Sequence, residues 1–357
     1  MLSARTGGRA GGRAAGRTVD WRIRFVVLAA IWGASFLFIK VAIEALTPVQ
    51  VSFGRCLFGA AAVGVILTVR REPLPRDPRV WGHLAVAALL VNVVPFTLFG
   101  YAEQRIPSAL AGICNAATPL FTVAVAVLAL PDERPTRRRA AGLALGFGGV
   151  LVVLGVWNGV FGHDAAGTFM ALGAALCYGL GWTYVRRFLT GSHSPYALTT
   201  AQLIAASVQL LVVTAAASPM PAHLPVRVVL SVAALGALGT GAAYVLQHGL
   251  IRDAGATVAS TVTYVAPVVA VLIGVTLLGE HLTWNEPAGA AIIIAGAVLI
   301  GGAGLRRRRR RHRPRRPPAV PPPDGEPAGQ QAEEPAGRPA GHRSPEAATP
   351  ATPGRPG

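Results

Sequence analysis

The sequence predicts an all-α integral membrane fold: ten transmembrane helices arranged as two inverted five-helix repeats. Three observations carry this. Hydrophobic residues make up 52% of the 357 positions and charged ones only 14%, against about 25% charged in an ordinary soluble domain. Ten apolar stretches, each near the ~20 residues a bilayer-spanning helix needs, fill residues 25–304 almost without remainder. The chain also repeats itself at an offset of 146–148 residues.

The stretches run over 25–46, 48–68, 80–102, 107–130, 138–158, 166–186, 196–216, 227–250, 257–278 and 284–304. The first follows an Arg-rich start and lacks a small-residue cleavage site, so an anchor that stays in place is favoured over a signal peptide. Four segments follow: a basic cytoplasmic arm, 1–24; a first repeat, 25–158; a second repeat, 166–304; and a tail, 305–357. From about 312 the tail holds thirteen prolines with Gly, Ala and Glu, a composition that cannot bury a core and predicts disorder.

Lys and Arg total 33 against 16 Asp and Glu, a net charge of +17. So basic a chain invites a nucleic-acid reading, but the arginines sort by membrane side instead. With the N-terminus inside, the inner segments hold seventeen: six in the arm, Arg70, Arg71, Arg76, Arg79, Arg134, Arg137, Arg138, Arg139, Arg186, Arg187 and Arg252. The outer loops hold only Arg105 and Arg227. The positive-inside rule then places both termini in the cytoplasm, with Arg306 to Arg311 as a stop-transfer cluster. The expected partners are a lipid bilayer and a small-molecule solute, with no nucleic acid. Cys56, Cys114 and Cys177 lie in apolar runs and read as small buried hydrophobes, not metal ligands. No cofactor is expected.

The repeat is carried by matched pieces. Trp32-Gly33-Ala34-Ser35-Phe36 through Lys40 recurs as Tyr178-Gly179-Leu180-Gly181-Trp182 through Arg186. Pro48 matches Pro195, Pro119 matches Pro267, and Asp132-Glu133-Arg134-Pro135-Thr136 matches Gly279-Glu280-His281-Leu282-Thr283. Gly142 and Gly149 match Gly289 and Gly296. Five spans per copy is an odd number, so the second copy crosses the membrane upside down. An inverted repeat is a signature of secondary transporters working by alternating access.

These motifs, in this order and twice, resemble the drug/metabolite transporter superfamily, specifically its EamA-like ten-helix families, over residues 22–304. The carriers are Trp32-Gly33-x-Ser35-Phe36, Pro48 then Arg55, Pro119 then Glu133, and Pro267 then Gly279-Glu280. The resemblance implies a bacterial inner-membrane carrier, often an exporter of amino acids, metabolites or drugs. One departure is Gln202, which stands in the second repeat where the first has Arg55, so a charge role there belongs to one half.

Ionisable residues inside a membrane are functional candidates by default. Lys40 and Arg55 lie about 10 Å below the outer surface at 1.5 Å per residue, and Glu44 is one turn from Lys40. They form a cationic pocket for a carboxylate or phosphate, with Glu44 as pairing partner; alternatively Lys40 snorkels to Glu44 and Arg55 locks packing. Pro119 and Pro267 each free a carbonyl one turn back, at Asn115 and Thr263, two polar residues placed to line the solute path. Trp32, Tyr178 and Trp182 wall an amphipathic pocket. Asn92, Gln202, Gln209, Tyr244, Gln247 and Tyr264 either face a cavity or join helices. Trp81, Trp157 and Trp284 read as interfacial. Glu103, Glu133 and Glu280 fall at helix ends and read as structural, and no acid at mid-depth suggests a proton relay. His248 alone is a weak signal. Gly142-x-x-x-Gly146 and Ala291-x-x-x-Ala295 give smooth helix faces, for a homodimer or, preferably, for packing within one chain. The rivals to a transporter are a membrane enzyme, for which no catalytic constellation appears, and a lipid flippase or non-transporting scaffold.

Overall fold

The computed structural model describes residues 20–130, 136–155, 164–189, 193–219, 221 and 223–311. Most of the basic arm, the Asp132–Pro135 motif with Glu133, Trp157 and the tail from 312 lie outside them. Ten helical elements follow one another in the described residues: α1 (Trp21–Ala42), α2 (Pro48–Arg70), α3 (Pro78–Glu103), α4 (Ser108–Ala129), α5 (Arg137–Val153), α6 (Ala165–Phe188), α7 (Pro195–Ala217), α8 (Val226–Ala254), α9 (Ala256–Leu277) and α10 (Asn285–Arg311). Seven of them, α1–α4 and α6–α8, are long and apolar enough to cross a membrane. The chain is therefore an all-α, multi-span membrane protein.

Helix starts recur in matched pairs. Asp20 caps α1 by accepting from the Arg22 amide, and Asp164 caps α6 by accepting from the Gly167 amide. Thr47 and Gln50 form a reciprocal capping box ahead of Pro48, while Ser194 caps α7 ahead of Pro195. Each cap satisfies amides that the first turn leaves without an intrahelical partner, and Pro at the first position has no amide to lose.

Three helices are not regular. α3 widens into a π-helical turn at Leu89–Val93, and α8 does so at Ala237–Ala242, beginning 148 residues later. Pro95 follows the first widened turn and cannot donate to the carbonyl of Val91. Gly239 and Gly241 flank Thr240 in the second. α4 breaks at Ala116–Ala117, between its segments Ser108–Asn115 and Thr118–Ala129. Pro119 sits at the start of the second segment, so it ends one helix and opens the next. Pro267, its counterpart, lies inside an unbroken α9.

Glycines set how closely the helices meet. Gly33 on α1 lies against Ala266 and Val269 of α9: a Cβ there would come 2.8 Å from the Ala266 carbonyl oxygen. Gly179 on α6 lies against α4, where a Cβ would come 2.8 Å from the Phe121 carbonyl carbon. The aromatic-glycine pairs of the repeated motif thus put each glycine on a neighbouring helix. The most extensive helix pair is α5 with α10. Gly142 faces Gly296 and Ile300, and Gly149 faces Gly289 and Ile293. This sharpens the expected smooth faces: Ala291 and Ala295 are exposed, and the close contact runs through the repeat-matched glycines.

Candidate functional site

A cavity of about 160 Å³ lies among seven helices, from α1 to α4 and on α6, α8 and α9. Both halves of the chain contribute. Trp32, Ser35, Phe36 and Ile39 of α1 line it, with Arg55 of α2, Phe96 and Phe99 of α3, and Asn115 and Thr118 of α4. From the second half come Tyr178 and Trp182, then Gly239, Thr240, Tyr244 and Gln247, then Thr263 and Ala266. Of the residues expected to contact a solute, the structure brings together Trp32, Arg55, Asn115, Tyr178, Trp182, Tyr244 and Thr263. Asn115 and Thr263, each one turn before its proline, both line the cavity. The Thr118 hydroxyl donates to the Asn115 side-chain oxygen at 3.2 Å, across the break in α4.

Arg55 is the charged group of this cavity and is 9% exposed. Its Nε donates to the Thr240 hydroxyl at 3.0 Å, and its guanidinium carbon stands 3.8 Å from the centre of the Phe96 ring. A desolvated cation–π contact is worth about 2 kcal/mol, well short of what burying an unpaired charge takes. No carboxylate lies within ion-pair distance of Arg55 among the described residues, and its terminal NH2 groups have no hydrogen-bond partner there. The chemistry of the site is that of an aromatic-walled pocket with one fixed, incompletely matched positive charge. Such a group prefers a planar anion that accepts from both NH2 groups.

The remaining expected residues stand elsewhere. Lys40 does not pair with Glu44. Its ammonium donates to the main-chain carbonyl of Glu103 at 2.6 Å and reaches that of Ile106 at 3.5 Å. Glu44 instead meets Arg227 at 2.6 Å on the surface, because one turn of helix carries it past the α3–α4 turn that holds Lys40. Gln202 donates to Asn92 at 2.7 Å, and neither is among the residues that line the cavity. This contact is the counterpart of Arg55 on Thr240: each joins a second helix of one half to a widened turn of the other. Tyr264 turns to α10 and donates to the Ala297 carbonyl at 3.3 Å. Gln209 donates to the Ala85 carbonyl, and the His248 ring lies edge-on to Tyr196. Trp81, read as interfacial, donates to the Pro75 carbonyl at 2.9 Å, while Trp284 is exposed.

Sequence reading missed Thr240 and the apolar wall of Phe36, Phe96 and Phe99. Thr240 carried a signal, since it matches Asn92 at the repeat offset. Glu280 acts as a helix-end group: its carboxylate accepts from the Ser108 amide and hydroxyl and the Ala109 amide at 2.7–2.9 Å, holding the start of α4. Glu103 does not fit that description. It is completely buried, and neither carboxylate oxygen has a hydrogen-bond partner among the described residues.

Ion pairs join the halves at both ends of the bundle. Arg24 at the start of α1 pairs with Asp253 at the end of α8. Arg105 after α3 pairs with Asp164 before α6 at 2.9 Å. The second is the counterpart of the first with acid and base exchanged. The Gly167 amide first, and then the Arg105 guanidinium, hold the Asp164 carboxyl below its ordinary value. The folded chain therefore binds this proton less readily than the unfolded one. The stabilisation is present above the ordinary Asp range and disappears as pH falls through the lowered value. Wild type should melt above Asp164→Asn at neutral pH, and the gap should close in acid, as thermal melts in detergent at stepped pH would show.

The sequence model of the EamA-like transporter family matches this chain twice, over residues 21–155 and 165–302. The inner membrane transporter YedA of Escherichia coli K12, itself called uncharacterized, is 27% identical over 277 residues, 76% of this chain and 88% of its own. An S-adenosylmethionine/S-adenosylhomocysteine transporter of Chlamydia trachomatis serovar L2 is 30% identical over 291 residues, 76% of this chain and 86% of its own. A solved crystal structure, 22% identical, covers 81% of this chain and 98% of that one with a TM-score of 0.57, a likeness in fold alone. Among the described residues no group of three or more His, Cys, Asp and Glu could hold a metal ion. With most of its length matched in two consecutive copies, the chain belongs to the EamA-like transporter family, a family of transporters and not of enzymes.

Proposed function

We propose that the chain is a ten-span secondary transporter of small organic anions or zwitterions. The observation that carries this reading is Arg55, a buried guanidinium without an acidic partner among the described residues, in a pocket walled by Trp32, Phe96, Tyr178 and Trp182. The cation selects a carboxylate or phosphate, and the rings favour a flat apolar body beside it. Amino acids, metabolites and drugs of that chemistry fit, and export is the proposed direction. S-adenosylhomocysteine, one of the two solutes named for the Chlamydia relative, is a zwitterion with a carboxylate and a planar ring system and heads the trial solutes.

In this reading the two repeats, 25–158 and 166–304, are inverted, and both termini face the cytoplasm of a bacterial inner membrane. The arginine asymmetry supports the orientation, and ion pairs between the halves at both ends support alternating access. Inverted vesicles holding the protein should accumulate labelled S-adenosylhomocysteine or aromatic amino acids above vesicles lacking it. No flux of any solute would overturn transport, and movement of labelled phospholipid alone would make the chain a flippase.

A further inference from the structure

Glu103 ends α3, one turn beyond Phe99, and Lys40 stands one turn beyond Phe36 on α1. Phe36 and Phe99 meet edge to face, ring centres 5.5 Å apart, and both line the cavity. Both helices run the same way here, so Lys40 and Glu103 form the next layer, about 6 Å further along at 1.5 Å per residue. They sit between the cavity and the bundle end that carries the α3–α4 turn. A buried carboxylate without a partner is strongly disfavoured as the anion, and Lys40 leaves it unmatched by donating to main-chain carbonyls instead. Of its two forms, the neutral acid is the one that this surrounding penalises less.

We propose that Glu103 is a proton-binding site whose protonation holds this end of the cavity closed. When the proton leaves the Glu103 carboxyl for water, the new carboxylate draws the Lys40 ammonium from the carbonyls of Glu103 and Ile106. The tie between α1 and the α3–α4 turn is then lost, and the layer above Phe36 and Phe99 hydrates and opens. The surrounding charges agree with this. α1 offers Lys40, with Glu44 turned away to Arg227. α2 offers Arg55, and the α9–α10 connection offers Glu280, itself occupied at the start of α4. α6 offers Tyr178 and Asp164, the latter held by Arg105. α10 offers Glu286, buried near Cys114 of α4. At the repeat offset Glu103 corresponds to Ile251 and Lys40 to Arg186, so the opposite end has no equivalent acid and protonation acts on one end only. The inference does not depend on which solute is carried.

Infrared spectra of the full-length protein in lipid nanodiscs, titrated from mildly acidic to alkaline pH, test it without a solute. The wild type minus Glu103→Gln difference should contain the stretch of a protonated carboxylic acid that converts to carboxylate as pH rises. Lys40→Gln should move that conversion to higher pH. A second measurement places Ile39→Cys in a chain whose Cys56, Cys114 and Cys177 are replaced by alanine. Labelling by a membrane-impermeant maleimide, divided at each pH by the rate for the same variant unfolded in detergent to remove thiol ionisation, should rise several-fold at alkaline pH, and Glu103→Gln in the same chain should abolish that normalised rise. A spectrum without a titrating acid band, or a normalised rise that survives Glu103→Gln, overturns the proposal.

Discussion

Transport by Arg55→Ala is expected to fall by about 30-fold or more in apparent affinity for an anionic solute. Removing one partner of a buried, hydrogen-bonded charge pair is worth roughly 2–5 kcal/mol, and each ~1.4 kcal/mol is tenfold. Arg55→Lys should fall between alanine and wild type. Lysine keeps the charge but loses the planar stack on Phe96, the Nε donation to Thr240 and the two-pronged grip on a carboxylate. Neither change should lower the melting temperature much, because the unmatched guanidinium is itself a burden on the folded chain. Concentration-dependent flux in inverted vesicles, with melts on the same preparations, reads both effects. Equal affinity in wild type and alanine variant would remove Arg55 from the binding site.

Gly296→Ala is expected to destabilise the chain by about 1–3 kcal/mol or prevent its assembly. A single methyl there meets the Gly142 carbonyl oxygen and the Gly146 amide nitrogen, each 2.6 Å away. Backbone cannot turn aside as a side chain does, so the helices must separate, and overpacking of that kind falls in this range. Ala291→Leu, on the exposed face of the same helix, should change little. Thermal aggregation of detergent-solubilised protein would show the contrast, and equal losses in the two variants would refute the assignment of faces.

How much was legible beforehand follows from which signals are local. Apolar run length reveals helices, and matched motifs reveal a repeated chain, so the order of elements could be read directly. Arg55 was legible because a charge in an apolar run is rare. The partners of Lys40 and Glu44 were not, because spacing within one helix says nothing of the turn between α3 and α4 that lies beside it. Glu103 looked like a helix-end acid, and its burial depends on α1, α4 and the α9–α10 connection closing over it. The Ala291–Ala295 spacing was as good as that of the glycines by pattern, yet the observed contact runs through Gly289 and Gly296, where no side chain separates the backbones.

The widened turns of α3 and α8 have a consequence for motion. Such a turn holds one more residue than its neighbours, so it amounts to a dislocation in an otherwise periodic rod. A dislocation can glide. By exchanging one main-chain hydrogen bond for the next, the extra residue passes along the helix while both ends stay helical. Each step turns the residues it passes by about 100°, one residue's share of a 3.6-residue turn. Asn92 and Thr240 sit inside these two dislocations, and their partners are Gln202 and Arg55. Glide in α8 would swing Thr240 away from the guanidinium, and glide in α3 would do the same to Asn92 and its amide partner, without either helix unfolding in the membrane.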